Sequence, residues 1–304
     1  MSVAFNAPEP GARSERPLGK VNFGWIAEAF ELFKANAGVW LVAILAIYAG
    51  SIVLSIIMQV VMFAGGMTTA MTTPPPKPGA FPTAPAITAF QVILLFFYYV
   101  ILGVFSAYIM GSLYRMAVKQ VRGEIITFSD IWSGGSVFVR MVGFTFLLGV
   151  VVFGAEALCA TPILLMIFKQ HSSITAIVTA LLLLFLFVTI AGCVSGGLLL
   201  PAPALLADGE GIGDSLRRSI RGMGRDWLRA AGFVFVGGLL LSLGVMFTCG
   251  LGMFVLYPMW WLVSALAYRD MVGMPYRPAA PVPTYAPTPP QPGVWPPPPT
   301  NPAA

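Results

Sequence analysis

The sequence predicts an all-α integral membrane protein with six transmembrane helices and three short interfacial amphipathic helices. Three observations carry this reading. Of 304 residues, 58% are hydrophobic and 10% charged, where an ordinary globular domain is about 25% charged, and the mean hydropathy is +0.84. Ala37–Phe63, Ile87–Tyr114, Ser172–Ala207 and Ala230–Tyr268 contain no charged residue, and each exceeds the roughly 20 residues that cross a bilayer. These runs are continuously apolar rather than alternating. In hydrocarbon only helices and closed barrels satisfy their own backbone, so the runs read as helices.

Residues 1–22 are polar, hold Pro8, Pro10 and Pro17, and show no apolar stretch behind a basic start. No cleavable secretory signal is expected there, and the segment reads as a disordered cytoplasmic tail. Residues 23–273 form the membrane domain. Its first amphipathic segment places Ile26, Phe30 and Phe33 on one helical face and Glu28, Glu31 and Lys34 on the other. The first two spans, Ala37–Phe63 and Ile87–Tyr114, flank an outer loop, Thr72–Pro85, with Pro74, Pro75 and Pro76. In the second amphipathic segment Thr127 or Ser129 caps a helix that turns Phe128, Ile131 and Trp132 to lipid before Gly134 and Gly135 end it. The spans Met141–Phe168 and Ile174–Leu200 follow. The third segment sets Leu216, Ile220, Met223 and Trp227 on the apolar face and Arg217, Arg218, Arg221 and Arg225 towards water, with Asp214 near its start. The last apolar run divides into Trp227–Thr248 and Leu251–Tyr268, because Gly250 and Gly252 favour a tight turn. Interfacial helix, span and return span thus recur three times, a threefold internal repeat in order if not in sequence.

Orientation follows from the basic residues, which cytoplasmic loops retain. With the amino terminus inside, the inner segments carry fifteen of the seventeen Lys and Arg residues, and the outer loops carry only Lys77 and Lys169. Both termini are therefore expected in the cytoplasm. The net charge of +5 sits beside the spans, so its counter-charge is anionic lipid rather than nucleic acid. Residues 274–304 are proline-rich and end near Trp295 followed by Pro296–Pro299. This tail reads as disordered, largely polyproline II chain, a solvated tether that could also dock a protein partner with an aromatic groove.

Several stretches bear a family resemblance: Gly111 with Arg122-Gly123-Glu124, Phe128-Ser129-Asp130-Ile131-Trp132-Ser133-Gly134-Gly135, Asp214-Ser215-Leu216-Arg217-Arg218-Ser219, Cys249-Gly250-Leu251-Gly252, Pro258, and Ala267-Tyr268-Arg269-Asp270. In this order the chain resembles a broad group of bacterial multi-pass inner-membrane proteins. These are stand-alone relatives of the membrane domain that accompanies some glycerophosphoryl diester phosphodiesterases. The resemblance covers about residues 21–273 and implies a fold and an inner-membrane location. The catalytic phosphodiesterase domain, with its metal-binding carboxylates and histidine, has no counterpart in this sequence, so that activity is not implied.

Candidate chemistry is sparse. Glu156 is the one ionisable side chain well inside an expected span, and no Lys or Arg lies at its depth. Such a carboxyl is expected to be protonated, either as a proton- or cation-sensitive transport site or as a structural acid hydrogen-bonded to a neighbouring helix. Gly154, Ala155, Cys159 and Ala160 around it are small enough for that close contact, and Pro162 could bend the helix beside it. Gly192 with Gly196, and Ala107 with Gly111, have the small-residue spacing of helix packing. Arg217, Arg218, Arg221, Arg225 and Arg229 make the strongest candidate patch, one that could hold anionic lipid headgroups or simply anchor the topology. His171 reads as a solvated loop residue. Cys159, Cys193 and Cys249 lack paired spacing and read as packing residues, with no metal or cofactor site. No nucleophile elbow, phosphate loop, zinc-helix motif or dinucleotide fingerprint occurs. The expected role is non-catalytic: a lipid-associated, membrane-organising or accessory component. A small-solute or lipid transporter using Glu156 is the competing reading.

Overall fold

A computed structural model describes residues 20–72, 89–169 and 174–275. The expected tails, the outer proline loop and His171 lie wholly or largely outside these residues. Among the described residues the secondary structure is helical, without strands. In chain order it comprises α1 (Gly24–Ala35), α2 (Ala37–Thr72), α3 (Ala89–Val121), a 3-10 segment (Phe128–Ser136), α4 (Phe138–Lys169), α5 (Ile174–Leu199), α6 (Ala202–Ala207), α7 (Ile212–Gly224), α8 (Trp227–Phe247), α9 (Met253–Ala267) and a π-helical turn (Tyr268–Gly273).

Among the described residues four stretches are long and apolar enough to cross a membrane: Ala37–Val61, Val92–Val121, Val178–Ala207 and Trp227–Phe247. A fifth exists if the 3-10 segment and Phe138–Val151, which meet at 74°, count as one broken span. By this measure the described residues hold four or five of the expected six. The shortfall lies partly in α9, whose 15 residues reach only about 22 Å at 1.5 Å per residue, short of the roughly 30 Å hydrocarbon core. The turn before α9 forms where the paired glycines place it, with φ of 50° at Cys249 and 91° at Gly250. The left-handed conformation at Gly250 carries no steric cost.

Burial is concentrated at one end of the helices. It falls at the starts of α2 (Trp40, Ala43, Ile44), α4 (Met141, Phe144) and α8 (Ala230, Phe233), and at the ends of α3 (Leu113–Val121) and α9 (Trp261–Ala267). Beyond that end, α2, α3 and α5 present large apolar side chains outward, among them Ile52, Ile56, Phe96, Phe97, Leu182 and Phe185. A water-soluble fold would bury such a surface, since exposed apolar patches of this extent mark contact with another apolar phase.

The buried end is built from aromatic and amide groups whose polar atoms are satisfied. Trp40 stacks on Trp261 with ring centroids 6.0 Å apart, and its indole Nε1 donates to Gln120 Oε1 at 2.8 Å. Gln120 Nε2 in turn donates to the Leu32 carbonyl, so one amide joins α1, α2 and α3. Helix α1 packs chiefly on α9. Its buried stripe is Trp25, Ala29 and Phe33 rather than Ile26, Phe30 and Phe33, and Phe30 is left exposed. The rotation follows from Trp25, whose ring meets Phe233 edge-on at 5.5 Å while its Nε1 donates to Asp270 Oδ2 at 2.9 Å. A buried indole N–H needs such an acceptor.

The second amphipathic segment is the 3-10 turn, started where Asp130 Oδ2 accepts from the Thr127 N–H at 2.8 Å. Phe128 and Trp132 are exposed as expected, but Ile131 is buried in the core. Gly134 lies inside the segment rather than ending it. A Cβ there would collide with Ser112 Oγ and the Tyr108 carbonyl of α3, so only glycine permits this approach.

Candidate functional site

The features that could carry function lie in a charged layer at the buried end, where α6, α7, the π-turn and the connections between them meet α3 and α1. Helix α7 begins after Gly211 in extended conformation, with Asp214 in its first turn and Arg221 in its last, both favourable to the helix dipole. One face is buried and consists of Ser215, Ser219 and Met223 at successive turns. Ser219 Oγ donates to the Leu198 carbonyl of α5 at 2.6 Å, and a methyl group at Gly222 would fall 3.0 Å from the Met271 carbonyl oxygen. Small side chains therefore let α7 lie tightly on the protein.

The sequence assigned Leu216, Ile220, Met223 and Trp227 to the lipid. Only Ile220 and Trp227 are exposed, whereas Met223 is buried and Leu216 packs against the core. Trp227 stands in the first turn of α8, just past the end of α7.

Arg217, Arg221 and Arg225 are exposed at four-residue spacing along α7 and its C-cap, and among the described residues no carboxylate pairs with them. Arg218 instead turns to Glu210. Arg229 reaches Asp226 at 3.6 Å with its side chain 61% exposed, a separation and exposure at which the pair is worth little. The five arginines are therefore not equivalent: three project as unpaired cations, one is internally engaged and one is loosely tethered.

Beneath α7 several other charges are paired. Arg122 pairs with Asp208 at 2.5 Å, with side chains 8% and 6% exposed, and Tyr268 Oη donates to the same carboxylate oxygen at 2.8 Å. Lys119 Nζ meets Asp130 at 2.7 Å. Arg269 bridges Glu28 at 2.6 Å and Asp270 at 2.7 Å. Arg115 Nη1 donates to the Ser133 carbonyl at 2.7 Å. In the sequence Arg115, Lys119, Arg122 and Arg269 mark orientation, and Arg122 and Arg269 also stand in the resemblance motifs, but their partners are not marked.

Two carboxyl groups are displaced in opposite directions. Burial raises the Glu210 carboxyl, and the nearby Asp208 and Asp214 carboxylates add to the rise against the opposing pull of Arg218. Burial also pushes Asp130 upward, but the hydrogen bonds from Lys119 and the Thr127 backbone, with the Lys119 charge, outweigh it and leave the group below its ordinary value.

Glu156, Cys159 and Pro162 lie along the backbone of α4, and their side chains are outside the described residues. Cys193 is half-buried and Cys249 exposed, both as free thiols. Among the described residues no group of His, Cys, Asp and Glu could hold a metal ion. Of the small residues, Ala107 and Gly111 are buried, and a methyl group at Gly111 would lie 3.0 Å from Val137 Cγ2. Gly196 would meet Val234 Cγ1 at 3.2 Å, while Gly192 faces open space. A tighter contact of α5 with α8 falls at Gly197, where a methyl group would sit 2.7 Å from the Ala230 carbonyl carbon.

Comparison with protein-family models, curated proteins and solved structures returns no match.

Proposed function

We propose that this chain is a non-catalytic, multi-pass bacterial inner-membrane protein whose cytoplasmic layer associates with anionic lipid headgroups in a membrane-organising or accessory role. The observation that carries this reading is the unpaired row of Arg217, Arg221 and Arg225 beside exposed Ile220 and Trp227. Cations beside exposed apolar side chains, Ile220 on α7 and Trp227 at the start of α8, suit the headgroup plane.

In this reading the chain crosses the bilayer six times with both termini inside, and α9 and the bent start of α4 complete the count. Buried residues at the starts of α2, α4 and α8 and at the ends of α3 and α9 support a chain that reverses after each helix. The recurring order of a short peripheral helix before α2–α3, α4–α5 and α8–α9 supports the threefold repeat. Location and kinship rest on the resemblance to the stand-alone membrane domains noted above, and the proline-rich tail would be the contact for a protein partner.

The test replaces Arg217, Arg221 and Arg225 together with Gln and measures the preference of the purified chain for spin-labelled phosphatidylglycerol over phosphatidylcholine. Each basic residue near an anionic surface is worth about 1 kcal/mol before screening, so the preference should fall by up to about a hundredfold at low salt. High salt should shrink the difference. An unchanged preference in the triple variant would overturn the reading.

A further inference from the structure

A cavity of about 250 Å³ opens between α2, α3 and α9, well away from the arginine row of α7. Its floor is made by the buried side chains Ile44, Ile109, Leu113 and Trp261, and its rim by the exposed Ser106, Met110 and Tyr257. No charged side chain lines it. Two of its hydroxyl groups are already engaged within the protein: Tyr48 Oη donates to Met253 Sδ at 2.8 Å, and Ser51 Oγ donates to the Ile47 carbonyl at 2.9 Å.

Protein interiors leave few voids larger than a water molecule, and an apolar cavity smaller than this one stays dry and takes up hydrocarbon. Headgroups and ions find no counter-charge here. The rim is continuous with the outward apolar surface of the same helices, which includes Ile52 and Val53 of α2 and Ile101 and Val104 of α3. Whatever phase those side chains face has direct access to the cavity.

We infer that this cavity is an acyl-chain site, occupied by one hydrocarbon chain of a bilayer lipid lying between α2, α3 and α9. The inference rests on the reading of the chain as membrane-spanning. It adds to the headgroup row a second lipid contact, distinct in chemistry and place, that recognises the tail of the lipid.

The test reconstitutes the full chain in phosphatidylethanolamine and phosphatidylglycerol nanodiscs. The probe is a phosphatidylethanolamine carrying a photoreactive diazirine in its acyl chain, and adducts are mapped by mass spectrometry after irradiation. Adducts on Tyr48, Met110 and Tyr257 are expected to exceed those on the outward residues Phe96 and Leu182 several-fold. Ser106→Phe at the rim should abolish that excess while leaving Phe96 and Leu182 labelled, and Ser51→Phe provides an independent block from α2 if the first variant does not fold. Even labelling of cavity and outward residues, or an excess that survives both substitutions, would overturn the site while leaving the membrane reading intact. An excess seen only with a diazirine-bearing free fatty acid would overturn the assignment to a bilayer lipid. Absence of labelling on Phe96 and Leu182 as well would overturn the membrane reading itself.

Discussion

Asp208 holds three segments with one carboxylate. It takes the Arg122 guanidinium from the end of α3 and the Tyr268 hydroxyl from the π-turn, at the C-cap of α6. Removing one partner of a buried ion pair leaves the other charge uncompensated, which costs about 3–5 kcal/mol. Asp208→Asn is therefore expected to lower the unfolding temperature of the detergent-solubilised protein far more than Tyr268→Phe, which removes one hydrogen bond to a charged group at about 1.5–3 kcal/mol. A second prediction concerns pH. The raised Glu210 carboxyl contributes stability that is complete below the ordinary glutamate value and is lost as pH rises through its folded-state value. The lowered Asp130 carboxyl contributes stability that is present above the ordinary aspartate value and is lost as pH falls through its folded-state value. Glu210→Gln should flatten the first limb of a plot of unfolding temperature against pH, and Asp130→Asn the second. The long-range partners were not legible in the sequence, because these pairs join residues 86 positions apart for Arg122 and Asp208 and 241 apart for Arg269 and Glu28. Charge type and approximate level could be read. Pairing depends on how the helices are arranged around one another.

At the level of elements, periodicity located helices more reliably than it oriented them. The apolar residues of α1 and α7 lie where helical spacing puts them, yet each helix presents to the protein a stripe other than the most hydrophobic one. In α1 the stripe is set by the hydrogen bond of Trp25 to Asp270. In α7 it is set by close packing through Ser215 and Ser219, for which small size matters more than hydropathy. The same distinction separates the glycines of α5. Gly192→Ala should be neutral or slightly stabilising, since a methyl group there meets nothing and alanine is favoured over glycine in helices by about 0.5–1 kcal/mol. Gly197→Ala should destabilise, because backbone atoms of α8 cannot yield as a flexible side chain can. Thermal unfolding of the two variants side by side checks the contrast. The spacing of small residues pointed to this helix contact, but the rotation of α5 decides which glycine occupies it.

For the whole molecule, hydropathy was the strongest signal because the bilayer imposes a length that few soluble helices need to match. It does not report where an apolar helix bends. The 74° change of direction before α4 falls at Val137, two residues past the Gly134-Gly135 pair, which marks an end to the segment but not its angle, and α9 is apolar throughout yet short. The proposed six-crossing arrangement makes a direct prediction: a reporter fused at Pro76 should be found outside the cell and one fused at Pro290 inside, and alkaline carbonate should leave the chain in the membrane fraction. Reporters at these positions on the same side of the membrane would exclude it.

Among the described residues the ion pairs gather at one end of the helices, and this has a mechanical consequence. Drawn out of a bilayer by a probe attached at the opposite end, each apolar helix would resist as its side chains left hydrocarbon for water. The force would climb further when the load reached Arg122, Asp208 and Tyr268, so the last rupture should be the strongest.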